Sequence, residues 1–146
     1  AGIAMSRAGM DGEAESFYGN AIKLFPYFEG AVFNLANLHF REGDYKSAAV
    51  NYTKLAELNP SNTSALNNLG RTLIELEEYE KAVELLEKAP LSGDGLYIYY
   101  NLALAYFMLD NSNKAMENAD KALKAKPDFI PALELIKKIK NGHGGK

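Results

Sequence analysis

The residues best suited to chemistry are two histidines, a run of glutamates and a recurring asparagine. His39 lies in a helical apolar pattern, where we expect a packing role, and His143 lies in a glycine-rich end segment. The two histidines lack the spacing of a metal-binding pair, and the absence of Cys excludes thiolate sites and disulfides. We therefore expect no metal, no cofactor and no catalytic residue.

The glutamates form the strongest charge run: Glu75, Glu77, Glu78, Glu80, Glu84 and Glu87. They are spread over a helix end, a turn and a second helix, which favours a solvated face. A cation site would need oxygens at fixed turn positions, and no loop of that kind is present. No glycine-rich loop follows a strand either. This inventory predicts a protein that is not an enzyme.

The recurring asparagine occupies positions 34, 68 and 101. Each carboxamide has one acceptor and two donors, so it can pair with both the N–H and the C=O of a bound peptide. Neighbouring helices lie roughly 10 Å apart, and an extended peptide rises about 3.3 Å per residue. One such asparagine per repeat would therefore contact about every third residue of the peptide. The alternative stays open that these amides pair with the protein's own backbone or with solvent.

The asparagines share their period with three other residue classes. Pro26 and Pro60 are 34 residues apart, and Pro127 follows after 67. The same steps recur at Ala14, Ala48, Ala82 and Ala115, and at Tyr18, Tyr52, Leu86 and Ala119. Such a period is typical of a repeat protein in which stacked neighbours bury a shared core.

Each period has the pattern of two helices and a turn. Apolar residues between Val32 and Phe40 follow helical spacing, and a second helical run begins at Tyr45. Gly43 suits a helix C-terminus with positive φ, and Asp44 can cap the next helix. Pro60 ends the second helix, because the residue before a proline avoids the α region. The sequence predicts helical hairpins.

Composition and charge limit the classes of partner that we expect this protein to bind. The 146 residues are 47% apolar and 24% charged, which is typical of a folded domain or a short repeat array. Residues 1–120 hold nine Lys and Arg against seventeen Asp and Glu, and residues 121–146 hold seven Lys against two acids. We expect no nucleic-acid binding and, without an apolar run of about 18 residues, no membrane insertion. The compartment stays open, with the cytoplasm as the default.

The recurring positions resemble the tetratricopeptide repeat family over nearly the whole chain. The motif residues include Leu35-Ala36, His39, Gly43-Asp44-Tyr45, Leu69-Gly70, Tyr79, Tyr99, Leu102-Ala103 and Tyr106, with the recurring alanines and prolines. The resemblance implies an all-α fold, a right-handed superhelical solenoid of antiparallel helix pairs in one domain, 1–140. Its repeats would span 1–28 (with a truncated first helix), 29–62, 63–95 and 96–129, followed by a capping helix at 130–140 and a flexible tail at 141–146.

Two segments invite further expectations. Pro90 comes early in the third repeat, so its second helix should end near Ala89 and leave an irregular loop over 90–95. In the capping helix, we expect Ile130, Leu133, Ile136 and Ile139 to form the packed face.

The resemblance also implies that the first helices line a concave groove for an extended peptide or a partner segment. The candidate binding residues are Arg7, Phe33, Asn34, Asn37, Asn68, Arg71, Tyr97, Tyr100 and Asn101. We expect Phe40 and Phe107 to pack between helices instead. Chaperone-tail receptors of the family grip a carboxylate with two Lys, two Asn and an Arg. Because Phe33, Tyr97 and Asn101 stand where Lys, Lys and Arg are needed, we expect no chaperone-tail specificity.

The resemblance points to a non-catalytic scaffold or adaptor that binds a protein or peptide. Two alternatives stay open. The chain could be the substrate-recruiting array of a larger enzyme such as a glycosyltransferase, or it could self-assemble as a homo-oligomer through the N-terminal residues 1–8.

Overall fold

The computed structural model describes residues 10–91 and 95–142. These residues form eight α-helices and no β-strand: α1 (Asp11–Leu24), α2 (Glu29–Glu42), α3 (Tyr45–Leu58), α4 (Thr63–Glu75), α5 (Tyr79–Lys88), α6 (Leu96–Met108), α7 (Ser112–Ala125) and α8 (Ile130–Lys140). The predicted all-α fold is confirmed. Arg7, the rest of the segment 1–8, His143 and residues 92–94 of the predicted irregular loop lie outside the described residues.

The helix ends follow from local sequence. Gly43 has φ +80° and ends α2, and the Asp44 carboxylate accepts a hydrogen bond from the Ser47 N–H at 3.1 Å to begin α3. The α3 helix ends at Leu58, ahead of Pro60. These three predictions are confirmed.

Helix α5 is short because of Pro90. It ends at Lys88, and Ala89 already has extended backbone with ψ 134°. The predicted end near Ala89 is confirmed. At ten residues, α5 has four fewer than α1, α3 and α7, which shortens it by roughly 6 Å.

The chain divides between Thr72 and Leu73 into two compact units, and α4 contains the point of division. The first unit, here called unit 1, packs α2 against α1 and α3. Its core includes Ala14, Tyr18, Ala31 and Leu38. Ala14 and Ala48 are fully buried, as their small size at close helix contacts predicts. The single-domain organisation stays a prediction.

The second unit, unit 2, packs α6 against α5 and α7, and α8 against α6 and α7. One cluster joins Ile74, Ala82 and Ala105, and another joins Leu96, Ala122 and Ala132. Helix α6 is apolar on nearly all sides, which fits its burial between neighbouring helices.

The packed face of α8 differs from the prediction. Ala132 and Leu135 are buried, whereas Ile130 and Leu133 are exposed. Ile136 and Ile139 are half-buried, so they border the contact. The prediction was wrong for Ile130 and Leu133, because the small Ala132 lets α8 approach its neighbours along a different line of side chains.

Candidate functional site

Three predicted side chains meet in unit 1. A cavity of about 140 Å³ is lined by Asn37, Phe40, Tyr52, Asn68 and Arg71, and we call it the amide pocket. Asn37 and Phe40 are three residues apart on α2, and Asn68 and Arg71 are three residues apart on α4, so each pair shares one helix face. Tyr52 projects from α3. The pocket therefore combines amide, guanidinium and aromatic groups.

Hydrogen bonds in the amide pocket converge on the oxygen of Asn37. The Tyr52 hydroxyl donates to Asn37 Oδ1 at 2.5 Å, and Asn68 Nδ2 donates to the same oxygen at 3.4 Å. The second distance is long for an N–H···O bond, so this contact is weak. Neither bond uses the amide hydrogens of Asn37.

Tyr52 is the most deeply buried of the residues that line the amide pocket. Its side chain is 1% exposed, and burial raises its pKa to about 12, against a smaller lowering by the Asn68 side chain. The hydroxyl is therefore neutral and able to donate at physiological pH. The Phe33 ring meets the Tyr52 ring edge to face, with 6.1 Å between centroids.

The remaining predicted residues that the structure describes are not among those that line the amide pocket. Asn34 and Phe33 are half-buried on α2. In unit 2, Tyr97 is 60% exposed and Tyr100 is half-buried, and both meet the ring of Phe129 edge-on. Asn101 is only 4% exposed, which leaves it little surface for a ligand. The roles of these residues stay predictions.

Sequence reasoning missed Tyr52 and Phe40 as pocket residues. Phe40 packs between helices as expected, since its ring meets that of Tyr45 edge-on at 5.2 Å, and Tyr52 is buried. The signal for Tyr52 was its hydroxyl, because a buried O–H needs a partner and Asn37 is the amide across the hairpin.

His39 is a buried residue of α2. Its Nδ1 lies 3.9 Å from Glu42 Oε2 and 4.0 Å from Asp44 Oδ2, beyond hydrogen-bond distance. Among the described residues, no three His, Cys, Asp or Glu side chains are grouped closely enough to hold a metal ion. In the same residues, no helix has the length and apolar character to cross a membrane.

Comparison with models of protein families identifies the family of this chain. Two models, both described as tetratricopeptide repeat, match residues 39–97 and 96–129, which together are more than half of the sequence. The chain belongs to the tetratricopeptide repeat family, as its recurring residues predict. It is accordingly a protein-interaction module.

Individual relatives agree. Stress-induced-phosphoprotein 1 of Caenorhabditis elegans is 28% identical over 120 residues, covering 73% of this chain and 35% of that protein. Hsp70-Hsp90 organizing protein 3 of Arabidopsis thaliana is 27% identical over 107 residues, covering 73% of this chain and 18% of that protein. The chain thus spans about a third or less of these relatives.

Solved structures show the same architecture. A crystal structure of MamA is 25% identical, with a TM-score of 0.90, over 99% of this chain and 85% of that one. The first tetratricopeptide domain of human RPAP3 is 22% identical, with a TM-score of 0.74, over 80% of this chain and 92% of that one. The predicted fold class, an all-α helical repeat solenoid, is confirmed.

Proposed function

We propose that the amide pocket holds part of an extended peptide from a partner protein, and that the chain acts as a non-catalytic scaffold or adaptor. One observation carries the proposal: three polar side chains singled out by sequence line one cavity with two aromatic rings. Amides that pair with peptide groups tolerate many ligand sequences, so the neighbouring side chains would supply specificity.

The hydrogen bonding of the pocket suits a peptide backbone. The 3.4 Å contact between Asn68 and Asn37 is weak, so a ligand can replace it at little cost. Asn37 then keeps its bond from Tyr52 and turns its amide hydrogens to a ligand carbonyl. The guanidinium of Arg71 favours a carboxylate or a carbonyl nearby. An acidic or polar segment is the ligand that this chemistry fits best.

Relatives support a protein ligand without naming it. One is called an Hsp70-Hsp90 organizing protein, and a repeat domain that shares this fold was solved with the HSP90 peptide SRMEEVD. This chain carries Phe33 at a position where a chaperone-tail receptor needs Lys. We therefore propose a ligand other than a chaperone tail.

The experiment selects peptides from a displayed library on the wild-type chain and measures their affinity by fluorescence polarisation. Asn68→Ala should weaken binding by about 1 kcal/mol, roughly fivefold, because one peptide hydrogen bond is lost. The matched control is Asn51→Ala. Asn51 is a half-buried asparagine of the same unit that bonds the Ser47 carbonyl and does not line the pocket.

Equal affinity of the wild type and Asn68→Ala for the selected peptides would refute the pocket as the binding site. Equal losses in both variants would point to a general effect on folding instead. The peptide SRMEEVD should not bind, and tight binding of that peptide would contradict the proposed specificity.

A further inference from the structure

Unit 2 contains a second, larger cavity, of about 320 Å³, between the end of α5 and helices α6 and α7. We call it the α5-end cavity. Its α5 side is formed by Leu86, Ala89 and Leu91, at and beyond the end of the helix that Pro90 shortens. An engineered cavity of about 150 Å³ holds benzene, so this one accommodates a large side chain with room to spare.

The floor of the α5-end cavity is apolar and closely built. Leu86, Ile98 and Leu102 are buried there. Gly95 is required beside it, because a Cβ would lie 3.0 Å from Leu91 and 3.1 Å from Tyr99, at a φ of +67°. This floor suits an apolar group of a ligand.

The rim is polar and regularly spaced. On α7, Lys114, Asn118 and Lys121 follow one another at i, i+4 and i+7, so they share one face. The Lys114 Nζ lies 4.8 Å from the centroid of the Tyr106 ring, and the Lys121 Nζ lies 5.7 Å from that of Tyr99. Each ammonium group is thus held over an aromatic face at the cavity mouth.

The two carboxylates at the rim are held differently. Glu87 accepts a hydrogen bond from the hydroxyl of the buried Tyr106, which holds this carboxylate in place, and its Oε1 lies 3.9 Å from Lys114 Nζ. Glu117 contacts Lys121 at 2.6 Å, but its side chain is 61% exposed. Exposed pairs of this spacing are weak. A ligand carboxylate can therefore replace Glu117 while Lys121 stays over Tyr99.

The geometry points to a second binding site, for a partner segment that carries a large apolar side chain next to an acidic residue. The apolar side chain fills the cavity, and the acid pairs with Lys121. Asn118 lines the cavity between Lys114 and Lys121, and its Nδ2 donates to the Lys114 carbonyl at 2.9 Å, which holds its side chain in place. The site lies wholly in unit 2 and does not depend on the amide pocket.

The test titrates ¹⁵N-labelled protein with three capped dipeptides and follows backbone amide shifts. Acetyl-Asp-Phe-amide should shift the amides of Ile98, Asn118 and Lys121, with an affinity at least threefold above that of acetyl-Asn-Phe-amide. Acetyl-Asp-Ala-amide should bind at least tenfold more weakly than acetyl-Asp-Phe-amide, because the cavity stays empty.

Variants separate the two contacts. Lys121→Gln should abolish the preference for Asp over Asn, whereas the control Lys124→Gln, an exposed lysine of the same helix outside the cavity, should keep it. Ile98→Phe should fill the cavity and remove binding of all three dipeptides. Should that variant fail to fold, the surface variant Lys121→Gln still decides the matter.

Three results would overturn the site. The first is the absence of saturable shifts with acetyl-Asp-Phe-amide at concentrations up to about 20 mM, and the second is shifts that map away from the cavity. The third is equal binding of the Asp and Asn dipeptides by the wild type. Asn68→Ala should leave these titrations unchanged. Failure here therefore does not bear on the amide pocket.

Discussion

The hairpins α2–α3 and α6–α7 occupy corresponding repeat positions, 67 residues apart, yet they bury different chemistry. The first pairs the Tyr52 hydroxyl with Asn37, and the second has Ala119 and Leu104 at the same two positions. An unpaired buried hydroxyl costs about 1–3 kcal/mol, so in the α2–α3 hairpin the buried Tyr52 hydroxyl depends on the Asn37 amide. At this pair of positions the repeat therefore accepts either a hydrogen-bonded polar pair or two apolar residues.

What the two hairpins share is their turn. Asp44 and Asn111 each accept a hydrogen bond from the backbone N–H three residues on, at 3.1 Å in both. The residue before each cap has positive φ, Gly43 at 80° and Asp110 at 57°. Local geometry is therefore constant between the hairpins, while the side chains between their helices differ.

The largest expected effect comes from removing the Tyr52 side chain from the α2–α3 hairpin. Tyr52→Ala should lower the free energy of unfolding by about 3–5 kcal/mol, because a buried ring is lost and Asn37 loses its donor. Urea denaturation measures it. Tyr97→Ala, at a 60% exposed ring, is the control and should cost less than a third as much. A loss below about 1 kcal/mol for Tyr52→Ala would break the comparison.

A high-pH titration sharpens the comparison next. The Tyr52 pKa is about 12 in the fold and near 10 when unfolded, so between these values the unfolded chain loses the proton first. Stability should therefore fall as pH rises from 10 to 12, by at most about 3 kcal/mol from this residue. Tyr52→Phe removes that part of the slope, and identical slopes for both proteins would contradict the assignment.

A double-mutant cycle tests whether the two groups change as a pair. Asn37→Leu alone should cost about 1–3 kcal/mol, because the Tyr52 hydroxyl loses its acceptor. Adding Tyr52→Phe should recover part of that loss, with a coupling of about 0.5–3 kcal/mol from chemical denaturation. Strictly additive effects would show that the two side chains are independent.

The smallest expected effect concerns the shared turn. Gly43→Ala should destabilise by about 1 kcal/mol through backbone conformation alone, since a Cβ at Gly43 meets nothing within 4 Å. Gly43→Asp should cost less, because Asp tolerates this conformation, as Asp110 does in the other hairpin. Thermal unfolding compares the two, and a larger loss for Asp than for Ala would contradict the expected equivalence of the turns.

The helix ends follow from sequence because they depend on neighbours within a few residues. The repeats and their small alanines follow because the same residue types return at a fixed period. Gly43, Asp44 and Pro90 act on adjacent backbone, and a 34-residue period needs no knowledge of distant contacts. Asn37, Asn68 and Arg71 could likewise be singled out, since helical spacing places each on a definite face.

Only the tertiary structure decided which of these side chains meet. In the folded protein, Tyr52 donates a hydrogen bond to Asn37 across a hairpin, and Asn101 is buried in unit 2. Helix α8 packs through Ala132 and Leu135. The α5-end cavity is also a tertiary feature, because Pro90 predicts where α5 ends but not the space beside that end. These outcomes depend on how closely two helices approach, and that distance is set by the summed packing of many side chains rather than by any local pattern.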